Sequence, residues 1–199
     1  MLLPLLSWEK GAKRMNPVLL DFPTEFETER LKIRMPLPGD GAITCEAVNA
    51  SLNELRPWMP WAKGEQTVEE AEVTIRNGYI NFLNRTDLRL LAFKKDTGQF
   101  VVSSGLHRID WDIPKFEIGY WVDSRFGGQG YVTEAVSGIT DYAVRELKAR
   151  RIEIRCDELN LKSRAIPERL GFTLEGILRN DQVSEEADLR NTCVFAKTF

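Results

Sequence analysis

Gly119-Tyr120-Trp121-Val122-Asp123-Ser124-Arg125-Phe126-Gly127-Gly128-Gln129-Gly130-Tyr131-Val132-Thr133-Glu134-Ala135 reads as the end of a strand, a glycine loop and the first turn of a helix. Ala135, Val136, Ile139, Tyr142, Ala143 and Leu147 then recur at helical spacing. Beyond them Ile152, Ile154 and Cys156 alternate with Glu153, Arg155 and Asp157, which is a second strand. A strand, one helix and a strand form a crossover, and a crossover lays its two strands parallel. Upstream, Leu88 to Lys94, a turn at Asp96-Thr97-Gly98, Phe100 to Ile109 and a loop around Asp110 to Pro114 lead into Phe116 to Val122 as an antiparallel meander. Further out, Leu31, Ile33 and Met35 alternate with Lys32 and Arg34, a helix follows to about Leu55, and Thr67-Val68-Glu69-Glu70 is a capping box that opens a helix to about Asn84. A short helix near Ser163 to Arg169 and two closing strands, around Phe172 to Leu178 and Arg190 to Lys197, complete an α+β fold with a mixed, mostly antiparallel sheet.

The chain has 199 residues, 43% of them hydrophobic, with 30 acidic against 27 basic side chains and a net charge of −3. That balance describes one globular domain with a sizeable core and excludes disorder, fibres and short disulfide scaffolds. It supplies no global positive field to hold a phosphate polymer, so nucleic acid is not the expected ligand. Cys45, Cys156 and Cys193 are odd in number, widely spaced and lack a C-x-x-C pair, which argues against a disulfide framework or zinc knuckle and for the cytoplasm. Met1 to Leu6 is apolar but too short for a signal sequence, and no stretch reaches the ~20 apolar residues that cross a bilayer. Met15 is a second candidate start, residues 1–14 read as dispensable, and the patterned chain begins near Glu27. The expected organisation is an N-terminal extension over 1–27 and one domain over 28–199, with monomer and homodimer both open.

The glycine loop builds an anion site. Glycines allow positive φ and close backbone approach, so several N–H groups can converge on one phosphate while the helix start adds its partial positive charge. Arg125 is placed to add a full charge. The P-loop pattern finds no match in the chain. A dinucleotide fingerprint fails as well, because Gly128-Gln129-Gly130 is followed by Tyr131-Val132-Thr133 and the later region, where an acid would be needed, holds Arg150-Arg151.

The spacing Arg125-x-x-Gly128-x-Gly130 after a strand resembles the pyrophosphate-binding motif of the GNAT superfamily of acetyl-CoA-dependent N-acetyltransferases. Phe116-Glu117-Ile118-Gly119-Tyr120-Trp121 resembles that family's central strand. Asn160-x-x-Ser163, Glu168-Arg169-Leu170-Gly171-Phe172 and Glu175-Gly176 resemble its next block. Thr28-Glu29-Arg30-Leu31 and Leu55-Arg56-Pro57-Trp58-Met59-Pro60-Trp61 are similar to the branch that acetylates ribosomal-protein N-termini. The resemblance implies a sheet whose two central parallel strands splay apart around the pantetheine arm of acetyl-CoA, a cosubstrate, with no metal. It implies cofactor-binding roles for Trp121, Val122, Asp123, Arg125, Phe126, Gly127, Gly128, Gln129, Gly130, Tyr131, Asn160 and Ser163. Main-chain groups of Trp121 to Asp123 would pair with the arm as an added strand does.

Two residues are expected to carry the chemistry. Many members of the superfamily place a Tyr near the helix after the second parallel strand to protonate the departing thiolate, but here the position is Pro167; in the ribosomal branch the Ser of Asn-x-x-Ser supports the thiolate, and Ser163 occupies it. Glu117 alternates with Phe116 and Ile118 and therefore faces away from them; it reads as a general base or as a salt-bridged structural acid. His107, the only histidine, reads as orienting substrate or shuttling a proton, or as a satisfied half-buried side chain. Trp58 and Trp61 wall the amine pocket or pack the first helix. Asn160 is equally a helix cap, and Glu134 reads as a carboxylate that stabilises the helix start. Asp181 and Gln182 follow the Glu-Gly turn, where the ribosomal branch has another acid.

The expected reaction is direct transfer from acetyl-CoA to an amine. Stripping the proton at pH 7 costs about 1 kcal/mol for an α-amine and roughly 4 to 5 kcal/mol for a lysine, so a modest base suits a protein or peptide N-terminus, a ribosomal one by resemblance. An aminosugar, antibiotic or polyamine acceptor, a non-catalytic acyl-CoA sensor and a nucleotide-binding oxidoreductase are the alternatives.

Overall fold

A computed structural model describes residues 16–184 and 187–199. The dispensable segment expected over 1–14, and the second start at Met15, lie outside the described residues. Eight strands form one sheet in the order β1 (Glu25–Glu27), β2 (Leu31–Arg34), β3 (Leu88–Lys94), β4 (Phe100–Asp110), β5 (Lys115–Val122), β6 (Arg151–Asp157), β8 (Leu189–Thr198) and β7 (Thr173–Val183). Every neighbouring pair is antiparallel except β5 and β6, so the α+β architecture with one central parallel pair is the one observed. That pair stays in register only from Lys115↔Arg151 to Glu117↔Glu153, after which the strands part.

Helices α1 (Gly41–Ala50), α2 (Leu52–Leu55) and α3 (Val68–Asn84) precede the meander, α4 (Tyr131–Arg145) makes the crossover, and α5 (Leu161–Arg169) follows β6. Strand alternation divides the faces. Leu88, Leu90, Leu106, Phe116, Ile118, Ile152 and Ile154 are buried with Ala135, Val136, Ile139 and Tyr142 of α4. Leu91, Phe93 and Phe100 pack with Ala47 of α1 and Ile75 of α3 on the other face. The capping box at α3 is formed: Thr67 Oγ1 accepts from Glu70 N at 3.2 Å and Thr67 N donates to Glu70 Oε2 at 2.8 Å.

Two features depart from the sequence reading. The single helix expected to Leu55 breaks at Ser51, where the loop after β5 intervenes: Ser124 N donates to Ser51 Oγ at 2.8 Å and Ser124 Oγ donates to Ala50 O at 3.1 Å. The sheet also begins before residue 28. Phe26 of β1 stacks on Tyr142 at 4.7 Å, and Tyr142 donates its hydroxyl to Pro23 O at 2.7 Å, so the end of the expected extension adds a strand and joins the core.

Glu134 fastens this edge to the start of α4. Its carboxylate accepts from Thr28 Oγ1 at 2.6 Å, Arg30 N at 2.7 Å and Arg30 Nε at 2.6 Å. Burial alone would raise its pKa, but the hydrogen bonds from Thr28 and Arg30 outweigh it and the pKa is lowered. A lowered folded pKa means stability that is full above the ordinary carboxylate value and is lost as pH falls through the folded one. Glu134→Gln is expected to cost about 1–3 kcal/mol at neutral pH and to flatten the acid limb of Tm against pH; calorimetric melts from pH 7 to 3 check both.

Candidate active site

Asp123 follows the last residue of β5, Val122, and is fully buried. Its Oδ1 accepts from Arg125 N at 3.0 Å and its Oδ2 pairs with Arg125 Nη2 at 2.6 Å, which winds Ser124–Phe126 into a single 3₁₀ turn. Phe126 N donates to Asp123 O at 2.8 Å and Gly127 N to Ser124 O at 3.1 Å. Arg125 Nη1 also pairs with Glu46 of α1. The guanidinium expected to bring free charge to the anion site is therefore committed to two carboxylates and braces the loop.

The cradle lies one step further on. Gly128 and Gly130 have φ of +75° and +83°, where a side chain is strained, and a Cβ at Gly128 would meet nothing within 4 Å. Among the described residues no hydrogen bond takes up the N–H groups of Gly128, Gln129, Gly130, Tyr131, Val132 and Thr133. Six consecutive donors at the start of a 15-residue helix fit the diphosphate of an acyl carrier. Arg30, which stands in the Thr28-Glu29-Arg30-Leu31 motif without an assigned role, donates from Nη1 to Gln129 O at 3.1 Å and lies 4.4 Å above the Tyr131 ring, so a cation does flank the cradle.

The gap opens beside it. Asp123 N donates to Val101 O at 2.9 Å, on the β4 side. Successive main-chain groups of a strand point to opposite edges, so Trp121 turns to β4 as well while Tyr120 and Val122 present theirs to the gap. Of the three residues expected to pair with the pantetheine arm, Val122 is oriented for it; Trp121 and Asp123 point their backbones away.

Across the gap, Asn160 caps α5 by accepting from Ser163 N at 3.0 Å. Pro167 sits inside this helix and has no N–H to give the carbonyl four residues earlier, that of Ser163. The freed Ser163 O accepts Tyr120 Oη at 2.9 Å, and Ser163 Oγ lies 3.2 Å from the same phenol. Burial raises the Tyr120 pKa and keeps the phenol a donor. Tyr120 was quoted in the strand motif but given no role; its link to α5 depends on which carbonyl the proline releases.

On the α1/α3 face, a cavity of about 360 Å³ reaches Gly119, Tyr120 and Trp121 from the side opposite α4. Trp61 lines it, 6.1 Å from Trp121, whereas Trp58 lies apart with Arg190 of β8 5.1 Å from its ring. His107 also lines it, with Nδ1 2.6 Å from Asp87 Oδ2. In a neutral imidazole the carboxylate favours the Nδ1–H tautomer, which leaves Nε2 as an acceptor. The ring lies against Gly119, where a Cβ would come within 3.3 Å of His107 Cδ2. Glu117, opposite His107 in the ladder, does not line the cavity; its carboxylate lies 3.6 Å from Arg108 and 3.4 Å from Arg155. Asp181 and Gln182 fall in β7, an exposed edge strand outside the cavity lining.

The thiols are poorly suited to nucleophilic work. Burial pushes Cys156 up to about 12 and also raises Cys193 opposite it, while Cys45 Sγ donates to Gln66 O at 3.2 Å. Replacing all three by alanine is expected to leave kcat within about threefold per folded molecule, checked by thiol release against active-fraction titration.

A family model described as acetyltransferase (GNAT) domain matches residues 30–173. YdaF of Bacillus subtilis (strain 168), which carries the provisional name of a ribosomal N-acetyltransferase, is 33% identical over 156 residues, 76% of this chain and 82% of its own. The ribosomal-protein-serine acetyltransferase of Escherichia coli (strain K12) is 27% identical over 133 residues, 67% of this chain and 73% of its own. Among solved structures, that of RimL, a ribosomal L7/L12 α-N-protein acetyltransferase in complex with coenzyme A, has a TM-score of 0.81 over 89% of this chain and 97% of that one; at 20% identity this is a likeness of fold.

Proposed function

Since the chain belongs to the acetyltransferase (GNAT) domain family, we propose that it acetylates the N-terminal amine of a protein or peptide of ribosomal-protein type, with acetyl-CoA as cosubstrate. One observation supports this above the others: the cavity and the gap share Gly119, Tyr120 and Trp121, so an amine in the first meets an acyl group in the second across a single strand. Bound acetyl-CoA supplies an activated thioester. The N–H groups of residues 128–133 hold its diphosphate, and the gap-facing main chain of Tyr120 and Val122 pairs with the arm and polarises the thioester carbonyl.

His107 Nε2 takes the proton from the amine, and Asp87 holds the imidazole in the tautomer that can accept it. The base role is thereby given to His107, and Glu117 keeps the ion-paired reading. Ser163 stays on the thiolate side: Tyr120 Oη donates to Ser163 O at 2.9 Å and holds this turn of α5, and the Ser163 hydroxyl, 3.2 Å from the phenol, swings its one proton to the sulfur as charge develops there. Trp61 and Trp121 wall the amine channel. The names of the relatives support the acceptor class, and no helix among the described residues is long and apolar enough to cross a membrane.

The test is thiol release from acetyl-CoA against peptides with free Ser or Ala N-termini, N-blocked lysine peptides, polyamines and aminosugars. Turnover with the free N-terminal peptides is expected. Release with the lysine, polyamine or aminosugar arms alone, or with none, rejects the assignment.

A further inference from the structure

The cavity that admits the acceptor is charged in the wrong sense for an amine alone. Among the described residues its lining holds a guanidinium, Arg89, an imidazole, His107, and no carboxylate. Arg89 stands in β3 between buried Leu88 and Leu90, so alternation turns it to the cavity face. Its Nε donates to Ser103 Oγ at 3.3 Å. Its two terminal nitrogens have no hydrogen-bond or ion-pair partner among the described residues, and neither is sealed from the cavity. The acids whose charge reaches Arg89 are engaged elsewhere: Asp40 holds Arg34 at 2.7 and 2.8 Å, and Asp87 holds His107 at 2.6 Å. Burial lowers the proton affinity of Arg89, as expected of a cation that has lost water without gaining a counter-charge. The fold also makes room for it: a Cβ at Gly78, in the middle of α3, would come within 3.2 Å of Arg89 Cδ.

We propose that Arg89 is a specificity-determining residue that binds an oxyanion carried by the acceptor itself, so that the preferred substrate is an amine with a carboxylate or phosphoryl group nearby. This rests on acyl transfer at β5 as assigned above. β3 lies two strands from β5, roughly 10 Å, and an extended peptide advances about 3.3–3.6 Å per residue, so in a peptide the acid falls within about the first three residues. A guanidinium fork suits either oxyanion bidentately.

The test measures binding, which needs no turnover, by calorimetry in the presence of coenzyme A. The probes are N-acetylated hexapeptide amides with Asp at position 2, Asn at position 2 or Asp at position 6, and the pair N-acetyl-phosphoethanolamine and N-acetyl-ethanolamine; thiol release is followed in parallel with the unacetylated forms. Wild type is expected to bind the position-2 Asp peptide, the phosphoryl compound or both about 10- to 100-fold more tightly than their controls. Which of them wins identifies the source of the oxyanion. Arg89→Met removes the preference and leaves the KM for acetyl-CoA unchanged, while Arg89→Lys retains part of it and guards against misfolding of the first variant. No preference for either anionic probe in wild type, or a preference that survives Arg89→Met, overturns the proposal. Equal acetylation of neutral and acidic peptides would sink this inference and leave acyl transfer standing; selective binding without any thiol release would do the reverse.

Discussion

Gly130→Val is expected to raise the KM for acetyl-CoA by about 100-fold, with a much smaller effect on the KM for the acceptor. At φ +83° a β-branched residue is strained by roughly 1–2 kcal/mol, and relief of that strain rotates the adjoining peptides. The N–H groups concerned are the ones left without partners at residues 128–133, so the fold has nothing of its own to hold them in place. Losing two hydrogen bonds to a charged diphosphate at about 1.5 kcal/mol each gives about 3 kcal/mol, which is the factor of 100. Gly98→Val is the matched control: its φ of +71° carries the same strain at the turn between β3 and β4, and a Cβ there meets nothing within 4 Å. Both variants should lose comparable Tm, and only Gly130→Val should lose affinity, measured by steady-state kinetics and by calorimetry with coenzyme A. Equal KM values in the two variants would remove the diphosphate from this loop.

The cradle was legible in the sequence because its cause is local. Gly128 and Gly130 need positive φ, and the helical spacing from Ala135 onward marks where the free N–H groups of a helix start must lie. The capping box of α3 and the alternation of β6 were legible for the same reason. What escaped depends on partners distant in sequence. Arg125 reads as free charge until Glu46, 79 residues away, is brought beside it. The helix break at Ser51 is made by Ser124, and β1 is held by Tyr142. Tyr120 acquires its partner because Pro167 leaves one carbonyl of α5 without a donor, which requires knowing that β5 and α5 face each other across the gap. Arg89 carried a weak signal, a charge inside an apolar strand, but its place on the cavity face follows from which face Leu88 and Leu90 bury, and that depends on the packing of the whole sheet. Glu117 carried the same kind of signal, and the cations beside it, Arg108 of β4 and Arg155 of β6, come from two other stretches of the chain.

His107→Gln is expected to lower kcat/KM by about 10²- to 10³-fold, the range for loss of a positioned general base, with little change in the KM for acetyl-CoA. Glutamine keeps a polar atom beside Asp87 and fills similar space against Gly119, so the ring's packing is largely replaced while its ability to take a proton is not. Asp87→Asn leaves the ring in place but cancels the preference for the Nδ1–H tautomer, and a loss of about tenfold or more should follow. Glu117→Gln is expected within about threefold of wild type, since its partners Arg108 and Arg155 are 70% and 32% exposed and such pairs contribute little. A kcat/KM left unchanged by His107→Gln but lowered about 10²-fold or more by Glu117→Gln would return the base to β5 and reassign the Asp87–His107 pair to packing of the cavity wall.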